Sequence, residues 1–153
     1  QLISNDALSL ALLITDNTNL DTSNAAMIVY SRADLLDFQN KDSLALMVLD
    51  SLITGFPNHS LTDEAWFKKA QILKSKGRFT EAIVYLQDII EKYPDDILAD
   101  DALFQLADLN ENKLDDKEKA KVLYETLLTK YPGSLFVVDA RKRFRVLRGD
   151  KIN

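Results

Sequence analysis

The chain has 153 residues, 46% of them hydrophobic, which suits one compact domain or a short solenoid with a continuous core. Its formal net charge of −5 argues against general nucleic-acid binding, which needs a basic footprint, and its four glycines and three prolines argue against a turn-rich all-β fold. The lack of cysteine excludes disulfides and thiolate metal sites, and no apolar run approaches a membrane span, so membrane insertion is not expected.

The charge is unevenly distributed. Residues 1–60 hold seven acids and two bases, whereas residues 141–153 hold six bases and one acid, Asp150. The chain starts at Gln1 rather than Met, and we expect it to be a piece of a longer protein, so a missing targeting signal carries no information.

In chain order, residues 5–14 read as a short, strongly apolar helix capped by Asn5 or Asp6, and Asp16 to Ser23 as a loop. Residues 23–39 form a helix bearing Ala26, Val29, Tyr30, Ala33, Leu36 and Phe38, with Asp34 and Asp37 turned to water or a partner. After a turn at Asn40-Lys41-Asp42, residues 42–55 return with Ala45, Leu46, Leu49, Leu52 and Ile53 on one face, and Gly55-Phe56-Pro57 ends them. Thr62 is expected to cap a helix to about Lys76, and Gly77 supplies the turn. Residues 79–93 return with Ala82, Ile83, Leu86, Ile89, Ile90 and Tyr93 inward, ending at Pro94. Residues 97–112 carry Ala102, Leu103, Leu106, Ala107 and Leu109. Asp115 and Glu118 suit a capping box for residues 116–131, which carry Ala120, Leu123, Tyr124, Leu127 and Leu128 and end at Tyr131-Pro132. Gly133-Ser134 opens a last helix to about Arg148, with Leu135, Val138, Phe144 and Leu147 toward the core.

Three landmarks repeat in one register. The prolines Pro57, Pro94 and Pro132 lie 37 and 38 residues apart, each behind an aromatic residue, Phe56, Tyr93 or Tyr131. The second-helix alanines Ala45, Ala82 and Ala120 keep the same intervals, and the first-helix alanines Ala33, Ala70 and Ala107 recur every 37. One extra residue in the third internal turn accounts for the 38. An array of unrelated apolar helices keeps a period near 3.6 but has no reason to keep this one. Small residues are needed where paired helices approach to about 8–10 Å, and a single hairpin cannot bury its apolar face alone.

Trp66, Ala70, Gly77, Phe79, Ala82, Leu86 and Pro94 stand at the spacings of the tetratricopeptide repeat, which the chain resembles over most of residues 26–134. Lys69 replaces a usual Leu, and Leu73 and Asn110 replace a usual Tyr. The 37–38-residue spacing and the Tyr-Pro boxes are similar to a bacterial cell-envelope subgroup that includes the barrel-assembly lipoprotein and the periplasmic Tol–Pal coordinator. The resemblance implies an all-α, right-handed α-α superhelix of about eight helices. Its parts are a partial N-terminal helix and loop (1–22), repeats at 23–59, 60–96 and 97–134, and a capping helix with a basic tail (135–153). It favours a periplasmic or outer-membrane-associated location, with the cytoplasm left open.

In this family the first helices line a concave groove for partner peptides. The corresponding residues are Tyr30, Asp34 and Asp37, with Met27 and Phe38, in the first repeat. They are Phe67, Gln71 and Lys74, with Glu64, in the second, and Phe104, Asp108 and Glu111, with Asp101, in the third. Tyr30, Phe67 and Phe104 recur every 37 residues, and acids flank them. They form either a groove for a partner segment with apolar anchors and basic flanks, or packing onto neighbouring helices beside a solvated acidic face. The family's carboxylate clamp needs Lys, Asn and Arg in the groove; the acidic character of these positions disfavours binding of a free acidic C-terminus.

The basic C-terminal cluster suits a polar terminal cap, with anionic lipid headgroups, nucleic acid or an acidic partner as alternatives. The single histidine, His59, cannot build a histidine metal site and is expected at the surface. Asp95-Asp96, Asp100-Asp101 and Asp115-Asp116 lack the spaced pattern of a calcium loop and suit helix starts. No catalytic, cofactor or metal site is expected. The chain reads as a non-enzymatic scaffold for a protein or peptide partner. The rivals are a structural spacer or self-assembly module, with the N-terminal helix as a homo-oligomer contact, and the non-catalytic part of a longer enzyme.

Overall fold

The computed structural model describes residues 22–151. Among these residues it contains seven α-helices and no strand: α1 (Thr22–Phe38), α2 (Asp42–Gly55), α3 (Thr62–Ser75), α4 (Phe79–Lys92), α5 (Ala99–Asn112), α6 (Lys117–Lys130) and α7 (Val137–Arg148). Among the described residues the fold is thus all-helical, as expected for a tetratricopeptide-like repeat protein. The expected helix over 5–14 lies outside the described residues. The chain divides into two compact units, one ending at Lys76 and one beginning at Gly77.

In the first unit α1 packs on α2 and α2 on α3. Val29, Leu36, Val48, Leu49, Leu52 and Ile72 build its buried core, with Tyr30 packed against the edge. In the second unit α4 packs on α5, α5 on α6 and α6 on α7. Leu103, Ala107, Ala120, Tyr124, Leu127 and Ala140 form a buried core there. All six landmark alanines, Ala33, Ala70, Ala107, Ala45, Ala82 and Ala120, have no exposed surface. Each is the small residue that permits close helix approach, and a larger side chain there would overpack the contact.

The recurring aromatic-proline box is one backbone device used three times. Phe56, Tyr93 and Tyr131 follow the last residues of α2, α4 and α6 with φ near −130° (−135°, −131°, −125°). Each donates its N–H to the carbonyl four residues back, on Leu52, Ile89 or Leu127. The proline that follows disfavours the helical geometry for the residue before it, so the chain leaves the helix there. The internal turns hold three residues after α1 and α3 and four after α5, which is the extra residue behind the 38-residue interval. Asn40, Gly77 and Asp115 carry the positive φ these turns need (60°, 74° and 54°).

Several local expectations are corrected. Thr62 does not cap α3: Leu61 holds the cap position, and the Thr62 hydroxyl donates to the carbonyl of Phe56 (3.0 Å). Asp116, not Asp115, caps α6 by accepting the Lys119 N–H (3.1 Å). Leu135 and Val138 do not face the core, Leu135 being 95% exposed. The helix begins later than the Gly-Ser pair suggests, and the buried stripe is Val137, Ala140, Phe144 and Leu147. His59 is half-buried: its Nδ1 accepts the Leu61 N–H (3.0 Å), and its ring meets the edge of Phe56.

Candidate functional site

In the first unit the helical period brings Tyr30, Asp34 and Asp37 of α1 to the side that meets α3. Asp34 is exposed and Asp37 half-buried, but neither stands alone. Lys68 on α3, which the sequence reading did not single out, pairs with Asp34 (2.7 Å) and Asp37 (3.3 Å). Burial works against the Lys68 charge, yet hydrogen bonds to the two carboxylates hold its pKa above the usual lysine value. Burial, reinforced by Glu64, Asp34 and Asp37 against the opposing pull of Lys68, raises the pKa of the Tyr30 phenol. Phe67, Gln71 and Lys74 are each half-buried on α3. The acidic character foreseen for this surface is therefore partly neutralised.

Lys69, the departure from the usual Leu, is buried and pairs with Asp50 on α2. Its aliphatic stem fills the apolar position while its ammonium reaches a carboxylate on the exposed side.

In the second unit Phe104, Asp108 and Glu111 project from successive turns of α5. The Phe104 ring stacks on Phe136 (centroids 5.0 Å, interplanar angle 22°) and meets Tyr124 edge-on (5.7 Å). Glu111 is only 4% exposed. Its carboxylate accepts from the Tyr124 hydroxyl (2.9 Å) and from both Nε (3.1 Å) and Nη2 of Arg143 on α7. The fork geometry of guanidinium on carboxylate suits this bidentate pairing. Glu111 is thus a structural tie between α5, α6 and α7. Burial, then the nearby Asp108 charge, raises the Tyr124 pKa, so its phenol stays a donor to Glu111.

Beside this tie lies a cleft of about 410 Å³ lined by Phe104, Asp108, Asn112, Tyr124, Asp139, Lys142 and Arg143. Asn112 donates to Asp108 (2.7 Å) and holds its carboxylate at the rim. The arrangement offers aromatic surface next to charges of both signs. Sequence reasoning had Phe104 and Asp108 but missed Asp139, Lys142 and Arg143, which lie two helices later on α7. The signal that could have found the two bases was their membership of the basic C-terminal cluster. Much of that cluster is committed internally: besides Arg143 on Glu111, Arg145 and Arg148 pair with Asp150, and Arg148 lies over the Phe144 ring (5.0 Å).

A second cleft, about 440 Å³, lies between residues 94–100 and 130–134. The Tyr131 hydroxyl crosses it to donate to the Pro94 carbonyl (2.8 Å), joining consecutive aromatic-proline boxes. The aspartates nearby serve the backbone: Asp96 accepts the Leu98 N–H (2.9 Å), and Asp100 accepts the Asp101 N–H (2.9 Å). Among the described residues no three His, Cys, Asp or Glu side chains converge on a metal site. No helix among them is long and apolar enough to cross a membrane.

Residues 64–96 and 101–134 both match the family model of the tetratricopeptide repeat, and the two matches begin 37 residues apart. A comparison with curated proteins finds no match. The likeness to the tetratricopeptide repeat thus covers two stretches of the chain, one running through α3 and α4 and one through α5 and α6.

Proposed function

We propose that this chain is a non-catalytic scaffold that holds a segment of a partner protein on the surfaces of its first helices. The observation that carries the reading is the cleft beside α5, where the half-buried Phe104 supplies aromatic surface, backed by the buried Tyr124, and Asp108 and Asp139 line its edge. A segment suited to it has an apolar or aromatic anchor on Phe104 and a Lys or Arg beside the anchor, directed to the two aspartates. Lys142 favours an acidic residue further along. In the first unit Tyr30, Asp34, Asp37, Phe67, Gln71 and Lys74 form the corresponding set, with Lys68 tempering its charge. Glu111 acts indirectly, by holding Tyr124 and Arg143 in place. The 37–38-residue spacing and the aromatic-proline boxes support a place for this scaffold in a larger, bacterial envelope-associated protein.

Peptide display against the full chain tests the reading. Selected peptides should pair an apolar or aromatic residue with Lys or Arg. Binding to Asp108→Asn/Asp139→Asn should be weaker by roughly 3- to 10-fold, as expected for two rim charges of about 0.3–0.7 kcal/mol each. Selection of acidic peptides, or equal binding by the variant, would remove the cleft from the interface.

A further inference from the structure

In the second unit α7 keeps one face of α5 and changes another. Ala140, Phe144 and Leu147 stand 38 residues after Ala102, Leu106 and Leu109, and they remain apolar members of the core. Arg141, Arg145 and Arg148 stand 38 residues after Leu103, Ala107 and Asn110. Those three residues of α5 are buried, and Leu103 and Ala107 share a core with Ala120, Tyr124 and Leu127 of α6. On α5 this is the face that takes the second helix of its hairpin. On α7 the same face carries three exposed arginines at i, i+4 and i+7, which helical spacing sets in one line. Val138, 71% exposed, continues the line one turn earlier.

We propose that this face of α7 docks an acidic helix of a partner protein, laid along it as α6 lies along α5. The occupant is set by charge complementarity. Among the described residues Arg141 has no ion-pair partner. Arg148 shows what the face accepts: its Nε (3.1 Å) and Nη2 (2.5 Å) donate to the two oxygens of the Asp150 carboxylate, and Arg145 pairs with the same group (3.6 Å). The planar guanidinium fork matches a carboxylate, donor for acceptor. Three such forks along one helix suit Asp or Glu repeated at i, i+4 and i+7 of a second helix, with an apolar residue beside them for Val138. A broad anionic surface fits less well. The exposed Asp139 follows Val138 on one side, and Glu125 of α6 lies near Arg148 on the other. The line of arginines is also distinct from the cleft beside α5, to which α7 contributes Asp139, Lys142 and Arg143. It is therefore a second interaction surface with the opposite charge preference.

A stapled helical peptide with Glu at i, i+4 and i+7 and one Leu beside them serves as the probe, titrated into the full chain by fluorescence anisotropy. We expect saturable binding that Arg141→Gln/Arg145→Gln weakens by about tenfold or more. Both side chains are exposed, so circular dichroism should show the same helicity in this variant as in the unchanged chain. Arg141→Glu/Arg145→Glu should lose the acidic peptide and gain the same peptide with Lys in place of each Glu. Asp150→Asn releases Arg145 and Arg148 and should tighten binding by about two- to fivefold. Binding unchanged by the glutamine variant would overturn the proposal. Equal binding of a peptide of the same composition with its Glu residues spread around the helix would do so too, because charge alone would suffice. Weaker or unchanged binding in Asp150→Asn would remove Arg145 and Arg148 from the interface and overturn it as stated. Tighter binding to phosphatidylglycerol vesicles or to single-stranded RNA than to the peptide would overturn it by assigning the arginines to phosphate.

Discussion

Replacing Glu111 by alanine removes the acceptor for two donors at once, and the structure sets how much each should cost. The Tyr124 hydroxyl is buried and donates to Glu111 at 2.9 Å, so it is left without that acceptor at a cost of about 1–3 kcal/mol. Arg143 contributes less. Its side chain is 38% exposed and can turn to water, so the roughly 3–5 kcal/mol typical of breaking a fully buried pair is an upper bound. We expect Glu111→Ala to destabilise the second unit by about 2–3 kcal/mol, and Tyr124→Phe by about 1 kcal/mol. Once the carboxylate is gone the hydroxyl is a liability. Tyr124→Phe should then cost nothing or restore stability in the Glu111→Ala background, giving a coupling of about 1 kcal/mol or more. The single tryptophan, Trp66, lies in α3 of the first unit. Urea unfolding should therefore be followed by far-UV circular dichroism, with hydrogen exchange at α5–α7 amides, rather than by tryptophan fluorescence. A loss below about 0.5 kcal/mol for Glu111→Ala, or additive effects in the double variant, would refute the tie.

Other perturbations test the local assignments. Gly77 has φ +74° with open space around its missing Cβ, so Gly77→Ala should cost about 1–2 kcal/mol from backbone strain alone, whereas Gly133→Ala, also in open space, should be neutral or slightly stabilising in the same urea titration. Asp116→Ala should cost about 1 kcal/mol through the lost α6 cap, while Asp115→Gly, which relieves a positive φ, should cost nothing; the reverse order in melting temperature would return the cap to Asp115. Burial, the largest cause in each case, raises the phenol pKa of Tyr30, Tyr124 and Tyr131 above the ordinary 10.0. The folded state therefore keeps its tyrosine protons longer than the unfolded state, so stability is fully present below pH 10 and falls as pH rises beyond it. Tyr124→Phe should flatten that decline; an unchanged alkaline slope would contradict the assignment.

The hairpin ends, the turn glycine and the alanine contacts were legible in the sequence because each is a local requirement repeated at a fixed interval. Ala45, Ala82 and Ala120 are fully buried where the period places them. Phe56, Tyr93 and Tyr131 leave their helices with nearly the same backbone angles. Errors arose where two local signals competed. Thr62 has the chemistry of a cap, but its hydroxyl serves the Phe56 carbonyl. Asp115 and Asp116 are adjacent aspartates, and only backbone geometry decides which one caps. The site was legible by face and not by partner: periodicity put Asp34, Asp37 and Glu111 on first helices without saying what each would meet.

By itself, then, the sequence determined the helical repeat, its register and the positions where helices touch, since these follow from periodicity and from side-chain size. Tertiary structure decided the pairing. Lys68 lies 31 residues from Asp37 and bridges it to Asp34, and Arg143 lies 32 residues from Glu111 and shares that carboxylate with Tyr124. Whether an acid on a helix face meets water or a guanidinium depends on which helix lies opposite and at what rotation. That is set by the packing of many side chains together and is carried by no single stretch of chain.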